Sequence, residues 1–236
     1  MIYRSSISLL LTLCLNILTV AQISTVNIAG EQFSGRIAYF KDTKSKAILG
    51  NTYISEDWMI GSIETVSGHK TEGLVRLNAL SKEIELINGN DTVVISETFD
   101  VKKVNLGGLS FVTAITIEER GSKILLNTHF LNLLYDSSIQ LLKKFDVTSY
   151  HNLYVPNYMG GAGDGNMYYR MGVSYYYRLN DGSAAYPLKK NANSIALVFG
   201  IEKNVVRNLI RINKLSLSKE KDLVRLFSIL NAEKVQ

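Results

Sequence analysis

The feature that most constrains this chain is a change of hydrophobic period. From Gly61 onward apolar residues recur at every second position, and beyond Lys190 they recur at helical spacing. A period of two buries one face of a strand, whereas a period of about 3.6 buries one stripe of a helix. Strands followed by helices, rather than interleaved with them, give an α+β architecture.

In the first regime Val75 and Leu77 alternate with Arg76 and Asn78, and Ile84 and Leu86 alternate with Glu83 and Glu85. Leu109, Phe111, Ile115 and Ile117 fall on one face of a single run. Breaks at Ala79 to Lys82, Asn88-Gly89-Asn90-Asp91, Gly107-Gly108, Glu119-Arg120-Gly121 and Asn180-Asp181-Gly182 supply residues suited to tight turns. The clearest strand is Arg170 to Leu179. There Met171, Val173, Tyr175, Tyr177 and Leu179 face one way, and Arg170, Gly172, Ser174, Tyr176 and Arg178 face the other. Asn180-Asp181-Gly182 turns it into a hairpin with Ala184 to Leu188. Close spacing, with no helix long enough for a parallel crossover, predicts a predominantly antiparallel meander, curved or closed.

Beyond Lys190, Asn191 or Asn193 suits the cap of a short helix that ends at Phe199 before Gly200. Val205, Val206, Leu209, Ile210 and Ile212 make a second stripe. Ser218 is the expected N-cap of a third helix, with Glu220 and Asp222 in its first turn and Leu223, Leu226, Phe227 and Leu230 on one face. All three stripes are expected to pack on the sheet, so about three C-terminal α-helices occupy residues 191–231. Upstream, residues 24–57 show only weak patterning, and Lys41-Asp42-Thr43-Lys44-Ser45-Lys46 reads as an exposed loop.

The first 21 residues are a different kind of segment. Arg4 is the only charge before Glu31, and Ile7 to Val20 is an apolar run with few polar interruptions, as in a secretory signal. Cleavage after Ala21 leaves one domain, residues 22–236, and no transmembrane span, the run being too short to serve as an anchor. Cys14, the sole cysteine, follows Leu13 rather than a small residue, which disfavours lipidation. The mature chain then has no thiol, so thiol catalysis and disulfides are excluded. Of the 236 residues, 46% are hydrophobic and only 2 are Pro, enough to bury a real core. The charge of +5 reads as spread, because no block of five or six like charges occurs, and a nucleic-acid groove is not expected.

No catalytic constellation stands out. His69, His129 and His151 are in no ligand spacing, so neither a metal nor another cofactor is expected. Ser216-Leu217-Ser218-Lys219 lacks the partners of a Ser-x-x-Lys enzyme. Gly160 to Gly165 is glycine-rich but is followed by a strand rather than the helix a phosphate site needs. Glu56-Asp57 and Glu118-Glu119 are adjacent rather than placed across a cleft. The uneven feature is tyrosine: nine of 13 lie between Tyr150 and Tyr186. Tyr175 and Tyr177 fall on the apolar face and read as core. Tyr176 and Arg178 face the other way, and with Tyr150, Tyr154 and Tyr168 they form the candidate ligand-binding set, since rings with a polar handle suit interaction surfaces.

Gly172-Val173-Ser174-Tyr175-Tyr176-Tyr177-Arg178-Leu179-Asn180-Asp181-Gly182, Pro187 to Lys190 and Asn213 to Leu226 resemble a group of uncharacterised secreted proteins of the Bacteroidota. Asp57 to Ile63 and Leu74 to Asn78 extend the likeness, and Leu230-Asn231 stands where that group has a Tyr-Asn pair. The resemblance implies export and a common fold, with no activity to carry over. The expected function is an exported, non-enzymatic binding or interaction protein of the cell envelope, its partner an envelope protein, glycan or lipid. The alternatives are a hydrolase acting on glycans or peptides and a carrier of a lipophilic ligand in a β-barrel or half-barrel cavity.

Overall fold

The structure is a computed structural model. It describes residues 24–28, 31–35, 50–88, 91–96, 101–120, 123–151, 167–180, 182 and 184–234. The leader with Cys14, the Lys41 to Lys46 loop, the glycine run 160–165 and Tyr154 lie outside these residues.

The fold is α+β. Ten strands form one antiparallel sheet: β3 (Met59–Thr65), β4 (Lys70–Asn78), β5 (Glu83–Asn88), β6 (Asp91–Ser96), β7 (Val101–Leu106), β8 (Leu109–Arg120), β9 (Lys123–Tyr135), β10 (Ile139–His151), β11 (Met167–Leu179) and β12 (Tyr186–Pro187). Their order is β12-β11-β10-β9-β8-β7-β3-β4-β5-β6, a meander in which β7 returns to pair with β3. The sheet is not closed, which decides between the curved and closed forms left open by the sequence. A separate hairpin of β1 (Ser24–Ile28) and β2 (Glu31–Gly35) occupies the stretch whose pattern had read as weak.

The turns follow local chemistry. Gly107 and Gly108 join β7 to β8 at φ 53° and 86°, a left-handed backbone where a side chain is strained. At the β4–β5 turn the Asn78 carboxamide oxygen accepts from the backbone N–H of Leu80 (3.0 Å) and Ser81 (3.2 Å), which holds the bend that Lys82 completes at φ 61°.

The short strands β3 to β7 wrap an aliphatic core. Ile63, Val75, Leu77, Ile84, Leu86, Val93, Ile95, Val101, Val104 and Leu106 are buried there with Phe111 and Phe130 from the long strands. Burial stabilises each such side chain by about 1.5–3 kcal/mol relative to exposure. A second core lies under the helices α1 (Ala192–Phe199), α2 (Lys203–Ile212) and α3 (Glu220–Lys234). Ile139, Leu141 and Tyr175 meet Ile195, Phe199, Val206, Leu223, Leu226, Phe227 and Leu230 there.

The helix caps follow the sequence in part. The Asn191 side chain accepts from Ser194 N at 2.8 Å, and Gly200 ends α1 at φ 67°. Ser218 is not the N-cap of α3: Lys219 O accepts the first helical bond from Leu223 N, and the Ser218 hydroxyl is paired with Ser216 Oγ at 2.8 Å. Asp222 instead reaches back to accept from Ser216 N at 3.0 Å. On α2 only Val206 is fully buried, whereas Val205 and Ile212 face solvent. The second stripe therefore packs over half its width.

A buried asparagine ties the helices to the sheet. The Asn231 side-chain oxygen accepts from Ile139 N (3.1 Å) and Ser138 Oγ (2.9 Å), while its nitrogen donates to Ile139 O (3.2 Å) and Phe227 O (2.9 Å). Asn231 clasps α3 to β10.

Candidate functional site

Long strands place the chemistry. The β8–β9 ladder runs out to Arg120↔Lys123 and the β10–β11 ladder to His151↔Met167. Between them, β9 and β10 pair only at Leu141↔Tyr135, Leu142↔Leu133 and Lys143↔Asn132, with a bulge at Leu141/Leu142. Two long hairpins therefore project past their common seam as separate arms. At the other side of the pair the sheet curls inward. Ala185 N donates to Ile115 O (2.8 Å) and Ile117 N donates to Ala185 O (3.0 Å), an isolated parallel bridge from the residue just before β12 to β8. Ala114, Leu131, Leu142, Tyr176 and Ala185 fill the inside of this curl, with Val112 and Leu133 beside them.

Beyond that apolar plug the same inward face turns polar. Lys144 Nζ lies 3.3 Å from Glu118 Oε1 and 3.1 Å from Asp146 Oδ1, so one ammonium bridges two carboxylates that are 28 residues apart in sequence. The Tyr176 hydroxyl donates to Glu118 Oε1, and Ser174 Oγ donates to Asp146 Oδ2 at 2.9 Å. Burial first, and then the Glu118 carboxylate, push the Tyr176 phenol well above its ordinary value, so it is a neutral donor at physiological pH. A neighbouring cavity of about 20 Å³ is lined by Asn78, Lys82, His129 and Lys144 among others. That is room for one water rather than a substrate.

Of the residues chosen from sequence, Tyr176 and Arg178 need correction as surface groups. Tyr176 is only 4% exposed, because the curl turns the polar-looking face of β11 into an interior. Half-buried Arg178 serves as an internal tie: its Nε donates to Gln140 Oε1 at 2.7 Å and its Nη1 donates to Thr113 O at 3.4 Å. Gln140 in turn donates to Asp136 and Asn180. Tyr150 and Tyr168 are paired across β10 and β11, their rings stacked at 5.8 Å, and Tyr150 is 48% exposed. Tyr175 and Tyr177 lie on the face that supports the helices, as the alternation had indicated.

The sequence did not mark Lys144 or Asp146, placed Ser174 only on the outward-looking face beside Tyr176, and offered Glu118 only as a neighbour of Glu119. The signal that links them is the shared parity of inward positions on β8, β10 and β11, which becomes legible once the register is known.

The arms carry a second feature. Ile115 is 53% exposed, Ile124 66%, Leu126 64% and Val173 52%. By strand alternation Ile115, Ile124 and Leu126 share a face with buried Phe111 and Phe130. Val173 lies opposite Phe145, whose ring is 6.2 Å from that of Phe111. Among the described residues, the face that seals the first core at its base is thus uncovered and apolar along the arms. Among the described residues no helix is long and apolar enough to cross a membrane. The chain matches no family model, no curated protein and no solved structure.

Proposed function

We propose that this chain is an exported, non-enzymatic binding or interaction protein of the cell envelope. The observation that carries the reading is the apolar face of the two hairpin arms, where Ile115, Ile124, Leu126 and Val173 are each more than half exposed. A monomer in water gains nothing from such a face, and contiguous patches of this kind mark interaction sites. Export rests on the leader-like run Ile7 to Val20 and on the resemblance to secreted Bacteroidota proteins.

The polar cluster supports binding less than it supports structure. Glu118 and Asp146 are the converging carboxylates that a hydrolase would use, but Lys144 stands between them and is ion-paired with both. The cavity of about 20 Å³ beside them is far below the several hundred Å³ of a typical ligand pocket. The carrier reading meets a similar difficulty, since Leu131, Leu142, Tyr176 and Ala185 fill the space inside the curl.

Native mass spectrometry of the protein purified from its own envelope tests the proposal. A bound partner or a second copy is expected in the parent and absent from Ile124→Ser/Leu126→Ser at unchanged melting temperature. A ligand-free monomer in both proteins overturns it. Turnover of a glycan or peptide that disappears in Glu118→Gln favours the hydrolase.

A further inference from the structure

The basic charge of this protein is not spread, contrary to what the linear sequence suggested. Residues 189–234 hold ten of the 26 basic residues and four of the 21 acidic ones, a net of +6, while the remainder nets −1. On α2, Lys203, Arg207 and Arg211 follow one another at intervals of four, forming a single exposed stripe. Among the described residues none of the three has a carboxylate partner. The stripe is flanked by bare apolar side chains. On one side, Leu197 of α1, 77% exposed, shares a surface groove with Lys203 and Lys189. Around the other edge, at about 100° per residue, Asn204 and Asn208 come next, and Ile212, 71% exposed, stands beyond them about 100° from Arg211.

We propose that α1 and α2 form a docking surface for an anionic phospholipid leaflet. Charge complementarity selects the occupant: unpaired cations on one helix face attract lipid phosphates, while exposed Leu197 beside Lys203 and Ile212 next to Arg211 reach the headgroup boundary at the two ends of the stripe. A nucleic acid would use the cations alone and would give exposed Leu197 and Ile212 no role. Nor does α2 carry an aromatic ring for base stacking. The surface is independent of the hairpin arms.

The test is flotation of the full chain with vesicles of phosphatidylcholine alone or with about one third phosphatidylglycerol. Binding to the anionic vesicles is expected to exceed binding to the neutral ones and to fall as salt shortens the screening length. The leader-like segment carries Arg4 and the amino terminus and would itself favour anionic vesicles, so the contribution of α2 is read from variants that leave that segment intact. At about fivefold for each cation near an anionic surface, Lys203→Gln/Arg207→Gln/Arg211→Gln lowers the partition on the order of 100-fold. Leu197→Ser/Ile212→Ser keeps the charge and weakens binding by a smaller factor. All five side chains are exposed, so circular dichroism should show unchanged helix content. Equal binding to both vesicles, or undiminished binding by the triple variant, overturns the proposal. So does a short duplex DNA bound as tightly as the vesicles, or vesicle partition unmoved by Leu197→Ser/Ile212→Ser, because the surface would then read polyanions.

Discussion

In β4 and β5, Val75, Leu77, Ile84 and Leu86 are all buried, so each short strand keeps one covered face along the part that carries them. In β8, Phe111 is fully buried while Ile115, four residues along the same face, stands in solvent. Its opposite face is also used, since Ala114 and Thr116 are buried inside the curl. Strands of 6 to 9 residues in β3 to β7 fit within one core, whereas the 12 and 13 residues of β8 to β11 outrun any single core. Alternation therefore specifies which side chains share a face. What covers that face at a given point depends on where other elements end.

The two ends of one face of β8 should respond very differently to truncation. Phe111→Ala is expected to cost about 3–5 kcal/mol in denaturant unfolding, because it empties a site in a filled core. Ile115→Ala on the same face should stay within about 0.5 kcal/mol of the parent. Equal losses at the two positions would mean that the arm face is covered after all.

A middle-sized effect is expected where helix meets strand. Asn231→Ala leaves Ile139 N and O without their partners in a buried contact and should cost about 1–3 kcal/mol by the same measurement. Lys144→Met leaves Glu118 and Asp146 facing one another. Because Asp146 is partly solvated, a loss of about 2 kcal/mol is expected rather than the larger value of a sealed pair. It should shrink as added salt screens the two carboxylates from one another, which a loss of packing alone would not do.

A further contrast separates the two cores by pH. Burial, and then the hydrogen bond to Glu220, push the Tyr175 phenol up to about 12. A folded value above the unfolded one means that this contribution is complete below about pH 10 and is lost as pH rises toward 12. Denaturation midpoints compared at about pH 9 and about pH 11.5 should therefore fall less in Tyr175→Phe than in the parent. An identical fall in both would show that Tyr175 is not buried against the second core.

The short strands, the three helices and their order were legible because composition and period agree locally: Val75 and Leu77 alternate, and Leu223, Leu226 and Phe227 repeat at helical spacing. β9 and β10 were not singled out. Lys143-Lys144-Phe145-Asp146 puts charge on both faces, and only the bridge from Ala185 to β8 makes Lys144 an inward residue. For the same reason Tyr176 and Ser174 looked external. Their environment is set by a bridge to β8 some 60 residues away, which no periodicity within β11 records. The unburied Val205 and Ile212 were likewise indistinguishable by pattern from Val206, whose packing is decided by α1 and the sheet.

The three-pair seam between β9 and β10 has a thermodynamic consequence. Most of β3 to β9 shares one aliphatic centre and most of β10 to α3 another, while the ladder bonds of the seam are few and interrupted by a bulge, so the halves are joined chiefly by the side chains inside the curl and the Ala185 bridge. Amide exchange should then resolve two cooperative units, with Leu142 and Lys143 at their boundary exchanging through openings that leave both cores folded. The arms grow from that boundary, so a partner gripping one hairpin would bear on half of the molecule and leave the other half free to respond.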